Sequence, residues 1–240
     1  MKIIAVIPAR YQSKRFPGKV LALFRGKTLI EHIYRQAEKC PVLSGIIVAT
    51  DDDRVLEAVR KFRGSVRKFD GRFNCGSDRI AFLARDTEAD VFINLQADEP
   101  FMPPEVITAT ALPFENPGVL MTTAATPFKK ESDWADTNAV KVVVDRNGDA
   151  LYFSRAPIPY DRDRQGRMPL NSAYKHLGIY GYRRDFLLQF AGWPAGALEE
   201  IEQLEQLRAM EYGAKIRVVI TPFDSQSIDT SEDLSKLEAR

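Results

Sequence analysis

A chain of 240 residues, 45% hydrophobic and 28% charged, can bury a full core as one large domain or two small ones. Its 34 basic and 33 acidic residues leave a formal net charge of +1, so no global field recruits nucleic acid or a membrane surface. Any anion has to be recognised locally. No apolar stretch reaches membrane-spanning length, and the opening residues show no leader pattern, so a cytoplasmic protein is expected. Cys40 and Cys75 lie far apart and fit free thiols better than a disulfide framework or a zinc site.

The first element is an apolar run, Ile3 to Ile7, that breaks at Pro8 into a basic loop holding Arg10, Lys14, Arg15 and Lys19. The Pro17-Gly18 pair lets that backbone turn tightly, and a cation-rich loop at the carboxyl end of a parallel strand suits a polyphosphate. Lys19 is expected on the exposed part of it. Neither G-x-x-x-x-G-K-[ST] nor G-x-G-x-x-G occurs, so a P-loop nucleotidase or a Rossmann dinucleotide enzyme has no local support.

Thr28 caps an expected helix through Leu29, Ile30, Ile33, Tyr34 and Ala37, and Gly45 to Thr50 reads as the next buried strand. Asp51, Asp52 and Asp53 then form a turn and helix cap. Gly76-Ser77-Asp78-Arg79 opens a further helix, and Val91 to Leu95 is a third apolar strand. This alternation predicts an α/β fold, three-layered, around a mostly parallel mixed sheet. Beyond it, 120–125, 140–144, 151–154 and 176–182 read as strands of a β-rich excursion. The segment from Ala156 to Tyr174 reads as an exposed loop suited to substrate gating or subunit contact. Leu198, Ile201, Leu204 and Leu207 recur on one side of an expected helix over 198–210. Residues 1–240 are read as a single domain, with a nucleotide-binding half over about 1–125 and a sugar-binding and dimerisation subregion over about 126–212.

A second chemical signal is Gln96-Ala97-Asp98-Glu99-Pro100, directly after the third strand and therefore on the same sheet edge as the basic loop. Carboxylate facing polyphosphate implies a bridging Mg²⁺, which takes one or two carboxylates together with substrate oxygens. A third signal is Asp229, just ahead of a cap at Thr230 or Ser231; Glu232 and Asp233 are the ordinary acids of a first helical turn.

Taken together and in order, Pro8-Ala9-Arg10, Pro17-Gly18-Lys19, Asp98-Glu99-Pro100, Leu151 to Arg155, His176 to Tyr182, Leu204 to Arg208 and Asp229-Thr230 resemble the 3-deoxy-manno-octulosonate (Kdo) cytidylyltransferases, or CMP-Kdo synthetases, over essentially the whole chain. The resemblance implies the nucleotide-diphospho-sugar transferase type of fold and a reaction of CTP with Kdo that gives CMP-Kdo and pyrophosphate for lipopolysaccharide assembly. It implies that Arg10, Ser13, Arg15 and Lys19 hold the triphosphate, with Asn74, Gly76, Ser77, Asp78, Arg79 and Gln96 around the rest of CTP. Lys19, Asp98 and Asp229 would be catalytic, the two aspartates ligating magnesium. Arg155, as a fork for the sugar carboxylate, and His176, Tyr180, Glu205 and Gln206 would meet the sugar. A homodimer is the implied assembly.

Read without the resemblance, His176 and Tyr180 are core residues, and Glu205 and Gln206 are a solvated helix face. His32 matches no role. Two departures stand out: Asn74-Cys75 replaces a more usual Gln-Ser, and Ala97 puts a methyl where glycine is common, an expected source of crowding or of altered backbone. Alternative readings are activation of the 8-amino analogue of Kdo, of a sialic-acid-like sugar, or nucleotide binding without turnover.

Overall fold

The computed structural model describes residues 1–12, 16–70, 76–169, 172–225, 227–228 and 230–238. Strand β1 (Ile3–Ala9) is apolar on both faces and leads, past the Gly18 turn, to the two-residue strands β2 (Leu23–Phe24) and β3 (Lys27–Thr28). Arg25 and Gly26, both at positive φ, make the tight turn between these two. Helix α1 (Leu29–Glu38) is capped as expected, the Thr28 hydroxyl accepting the Glu31 N–H at 3.3 Å. Then come β4 (Gly45–Thr50), α2 (Asp53–Lys61) with Asp52 as its cap, β5 (Val66–Lys68), α3 (Gly76–Arg85) and β6 (Val91–Leu95).

The second half contains α4 (Pro104–Ala111), β7 (Met121–Pro127), α5 (Glu131–Ala135), β8 (Lys141–Val144) and β9 (Ala150–Ser154). It ends with β10 (Tyr174–Arg183), α6 (Arg184–Phe190), α7 (Ala197–Glu202), α8 (Gln206–Glu211), β11 (Ile216–Ile220) and α9 (Ser231–Glu238). The expected single helix over 198–210 is instead two: Gln203 takes φ 53° and ψ 48°, and the left-handed residue stops α7.

The main path of the sheet runs β11-β7-β10-β6-β1-β4-β5, with β8 and β9 attached to β10. All pairings on this path are parallel except those of β10, which runs antiparallel between β6 and β7. Alternation along β1 and β6 sends Ile3, Ala5, Ile7, Val91 and Ile93 to a layer with α1, α2 and α4, and Ile4, Val6 and Phe92 to one with α3 and α6. That is the three-layer α/β architecture expected. The carboxyl ends of β1 and β6 share one edge, and the amino end of β10 meets it.

The loop between β9 and β10 is better anchored than its composition suggests. The Trp134 indole donates to Ile158 O at 3.1 Å, and Met168 and Ala173 pack with Phe128 and Trp134. The chain's last third also returns to the site edge. Ile228 is fully buried with Phe24 and Leu29, Phe101 and the apolar face of α9 pack on them, and the Ile228 N–H donates to Asp98 O at 2.8 Å.

Candidate active site

Because β1 ends at Pro8-Ala9 and β6 at Leu95, the segments that leave them, Arg10 onward and Gln96 to Asp98, face one another across a cleft of ≈ 260 Å³. Lys19 enters from the short 3₁₀ turn Lys19–Leu21. Contrary to the expectation of an exposed loop residue, it is only 9% exposed, and its ammonium donates to Asp98 Oδ2 at 3.1 Å. The turn explains this: Gly18 at φ 74° fits against the Tyr11 ring and directs the next residue inward.

The third wall is the start of α3, where Gly76 and Arg79 line the cleft. The Arg79 guanidinium is buried and contacts Asp51 Oδ2 at 3.3 Å, so Asp51 is a partner of this wall rather than part of the helix cap. Ser77 is buried beside it. Asp78 occupies the same first turn but does not line the cleft. The fourth wall is Glu205, just ahead of α8, whose carboxylate lies 3.9 Å from the Arg208 guanidinium. Gln206 is buried, and its Nε2 has no hydrogen-bond partner among the described residues. The cleft thus joins Arg10, Lys19, Gly76, Arg79, Gln96, Asp98 and Glu205 of the expected set. Ser13, Arg15, Asn74 and Asp229 lie outside the described residues.

His176 and Tyr180 sit behind the cleft on β10, their ring centroids 5.3 Å apart, with Phe153 5.1 Å from the imidazole. Part of His176 reaches the surface, but its ring is enclosed, and burial pushes its pKa down to about 3. The Thr123 hydroxyl has one proton and donates it to Ile179 O at 2.7 Å, so it accepts from His176 Nε2 at 2.9 Å; this assigns the Nε2–H tautomer. Burial raises the Tyr180 phenol well above its ordinary value, and the neighbouring charges of Glu205 and Glu99 add to the rise.

Arg155 is not part of the cleft lining. Its Nε, Nη1 and Nη2 donate to Glu202 O, Thr137 O and Gln203 O at 2.8, 3.1 and 3.3 Å. Arg155, expected to fork a sugar carboxylate, here has its guanidinium among backbone carbonyls, two of them at the end of α7, where Gln203 is left-handed.

Asn94 and Val20 line the cleft without having been singled out from sequence. Asn94 had a readable signal: it is the polar residue in the run Val91 to Leu95, and period two places it on the face of Gln96. It is 4% exposed, and its Oδ1 has no hydrogen-bond partner among the described residues. Ala97 is buried, lines the cleft and is not among the positive-φ residues, so the methyl needs no altered backbone. Glu99, beside Asp98, turns away to accept the Gly178 N–H at 3.1 Å; burial pushes its carboxyl up to about 7.

A cation-rich cleft with two partly exposed carboxylates, Asp98 and Glu205, at the carboxyl edge of a mostly parallel sheet, defines a nucleotide-handling α/β protein. The chain belongs to the cytidylyltransferase family, whose model matches residues 4–216. Its similar relatives are more particular. A 3-deoxy-manno-octulosonate cytidylyltransferase of Solibacter usitatus is 46% identical over 98% of this chain and 93% of its own. One of Geobacter metallireducens is 46% identical over 99% and 96%. A solved structure of CMP:2-keto-3-deoxy-manno-octonic acid synthetase complexed with CTP superposes with a TM-score of 0.93 at 38% identity, covering 100% of this chain and 98% of the other. The 4-diphosphocytidyl-2C-methyl-D-erythritol synthase of Anaerococcus prevotii, at a TM-score of 0.64 and 15% identity over 99% of this chain and 95% of its own, shares the fold alone. Among the described residues no helix is long and apolar enough to cross a membrane.

Proposed function

We propose that this chain transfers the cytidylyl group of CTP to the anomeric hydroxyl of 3-deoxy-manno-octulosonate, giving CMP-Kdo and pyrophosphate for lipopolysaccharide assembly in the cytoplasm. The observation that carries this reading is the Lys19–Asp98 contact of 3.1 Å at the meeting of the β1 and β6 edges, with Glu205 from the second half across the cleft. The names of the relatives and the CTP complex of the similar structure support the substrates.

The sugar oxygen forms a bond to the α-phosphorus, the bond from that phosphorus to the bridging oxygen breaks, and the electron pair leaves with pyrophosphate. The hydroxyl proton goes to solvent. Alignment and charge neutralisation dominate such a transfer. Arg10 and Lys19, with Ser13 and Arg15, hold the triphosphate. Gly76 and Arg79, with Asn74, Asn94 and Gln96, hold the nucleoside, and Ser77 and Asp78 complete the helical turn that presents them. Glu205 and Gln206, backed by His176 and Tyr180, meet the sugar.

The residues fit magnesium. Asp98 presents a side chain 32% exposed to the cleft beside the triphosphate cations. The backbone of Ile228, chain neighbour of Asp229, is bonded to that of Asp98. Among the described residues no group of three or more acidic, histidine or cysteine ligands gathers, and a metal shared with phosphate oxygens does not require one. Asp98 and Asp229 would hold the ion. Bound there, it supplies neutralisation of the phosphate charge and a lowered pKa for the attacking hydroxyl. A homodimer completes the reading.

Pyrophosphate release from CTP and Mg²⁺ tests it, with Kdo, the 8-amino analogue and N-acetylneuraminate offered in parallel. Release with Kdo is expected. Preference for the amino sugar would reassign the substrate, and silence with every sugar while CTP binds would leave a nucleotide-binding protein without turnover.

A further inference from the structure

Glu205 and Gln206 follow a break between two six-residue helices, α7 and α8, too short to hold their own geometry. Side chains from elsewhere hold both ends of α7. At its start the Glu211 carboxylate accepts the Leu198 and Glu199 N–H groups at 3.1 and 3.4 Å, and a Cβ at Gly196 would collide with that carboxylate. At its end the carbonyls of Glu202 and Gln203 receive the Arg155 guanidinium at 2.8 and 3.3 Å. The Glu202 carboxylate reaches back, accepting the Ser154 hydroxyl at 2.6 Å and the Arg155 N–H at 2.9 Å. The far side of Arg155 is fixed as well. Its carbonyl, with those of Asp136 and Ala139, accepts from the ammonium of the fully buried Lys141 at 2.5 to 2.8 Å. Four hydrogen bonds therefore tie the end of β9 to Glu202 and Gln203, the two residues that immediately precede Leu204 and Glu205, three of them made by Arg155.

We infer that Arg155 and Glu202 form a clamp that sets where Glu205 stands in the cleft and Gln206 beside it, so that Arg155 is a positioning residue of the sugar site and not a ligand of the sugar. This rests on the reading that Glu205 and Gln206 meet the sugar. Glu202 is the informative partner, because it does not line the cleft and yet carries half of the reciprocal contact.

The test compares Arg155→Lys, Glu202→Ala, Glu202→Gln and Glu205→Gln with the intact chain, alone and with Arg155→Lys placed in the Glu205→Gln background. Arg155→Lys and Glu202→Ala should each raise the KM for sugar about tenfold, the equivalent of one charge-assisted hydrogen bond, with the KM for CTP within about twofold. Glu202→Gln should restore the sugar KM, since its amide oxygen still accepts the Arg155 N–H and its amide nitrogen can donate to Ser154 Oγ. In the Glu205→Gln background Arg155→Lys should add less than about twofold, because the group it positions is already altered. Hydrogen exchange supplies a readout free of turnover. The Leu204, Leu207 and Arg208 amides, bonded to Glu199 O, Leu204 O and Glu205 O, should exchange faster in Glu202→Ala, with β1 unchanged.

An unchanged sugar KM in Glu202→Ala, multiplied effects in the double variant, or unaltered exchange over 204–208 would each overturn the clamp. If the intact chain uses no sugar at all, the functional reading fails by itself, and exchange alone then decides the clamp.

Discussion

Glu99 Oε1 accepts the Gly178 N–H at 3.1 Å, and a Cβ built on Gly178 would stand 2.5 Å from the same oxygen. The contact sits where the β10–β7 register shifts between Leu177 and Tyr180, so the loop that carries Asp98 and the strand that carries His176 and Tyr180 fit together only without a side chain at 178. Gly178→Ala should cost about 1–3 kcal/mol by overpacking. In a Glu99→Ala background the same change should cost clearly less, which paired urea titrations would measure.

Asp98→Ala should lower turnover by roughly two powers of ten or more, the scale of losing a transition-state electrostatic group. CTP binding in the absence of metal should persist, because Arg10 and Lys19 remain. Chelating magnesium from the intact protein should mimic the loss of turnover. Calorimetry with CTP beside pyrophosphate release separates the two effects.

Lys19→Met should raise the KM for CTP about tenfold or more and lower stability by about 1–2 kcal/mol, since it removes the proposed phosphate contact and the partner of a half-buried Asp98. Loss of folding with no specific CTP defect would mark Lys19 as structural only.

The metal-free protein should show two opposed pH dependences. Burial depresses the His176 pKa to about 3, so between pH 3 and 6.5 the unfolded chain binds more protons, and this group's contribution to stability is present above 6.5 and lost as pH falls. Burial raises Glu99 from 4.5 to about 7, so its contribution is present below 4.5 and lost as pH rises through 7. Relative to the intact protein, His176→Phe should make stability fall more with rising pH between 4.5 and 6.5, and Glu99→Gln should make it rise more. Urea unfolding at several pH values reads both signs.

Much of this was legible in the sequence. The apolar runs of β1, β4 and β6 and the cap at Thr28 needed only periodicity, and Pro8 and Asp98 marked the sheet edge that carries the cleft. What stayed hidden depended on tertiary partners. Lys19 reads as solvated because a charged residue in a Gly-Pro loop usually is, and only the Gly18 turn against Tyr11 sends it inward. The apolar spacing of Leu198, Ile201, Leu204 and Leu207 reads as one helix, but Ile201 is 78% exposed and the Arg155 clamp favours a break at Gln203 instead. Asp51 looked like part of a cap until α3 brought Arg79 beside it.

The antiparallel insertion of β10 also governs when the site can come into being. Until residues 174–183 have left the ribosome, β6 presents a bare edge of apolar strand, Val91 to Leu95, to everything around it. Glu205 and the Ile228 anchor emerge later still, so the newborn first half carries its cations and Asp98 in an unfinished cleft. Assembly of the cleft therefore follows synthesis of nearly the whole chain, and a ribosome-stalled fragment ending before residue 174 should bind chaperones more readily than it binds nucleotide.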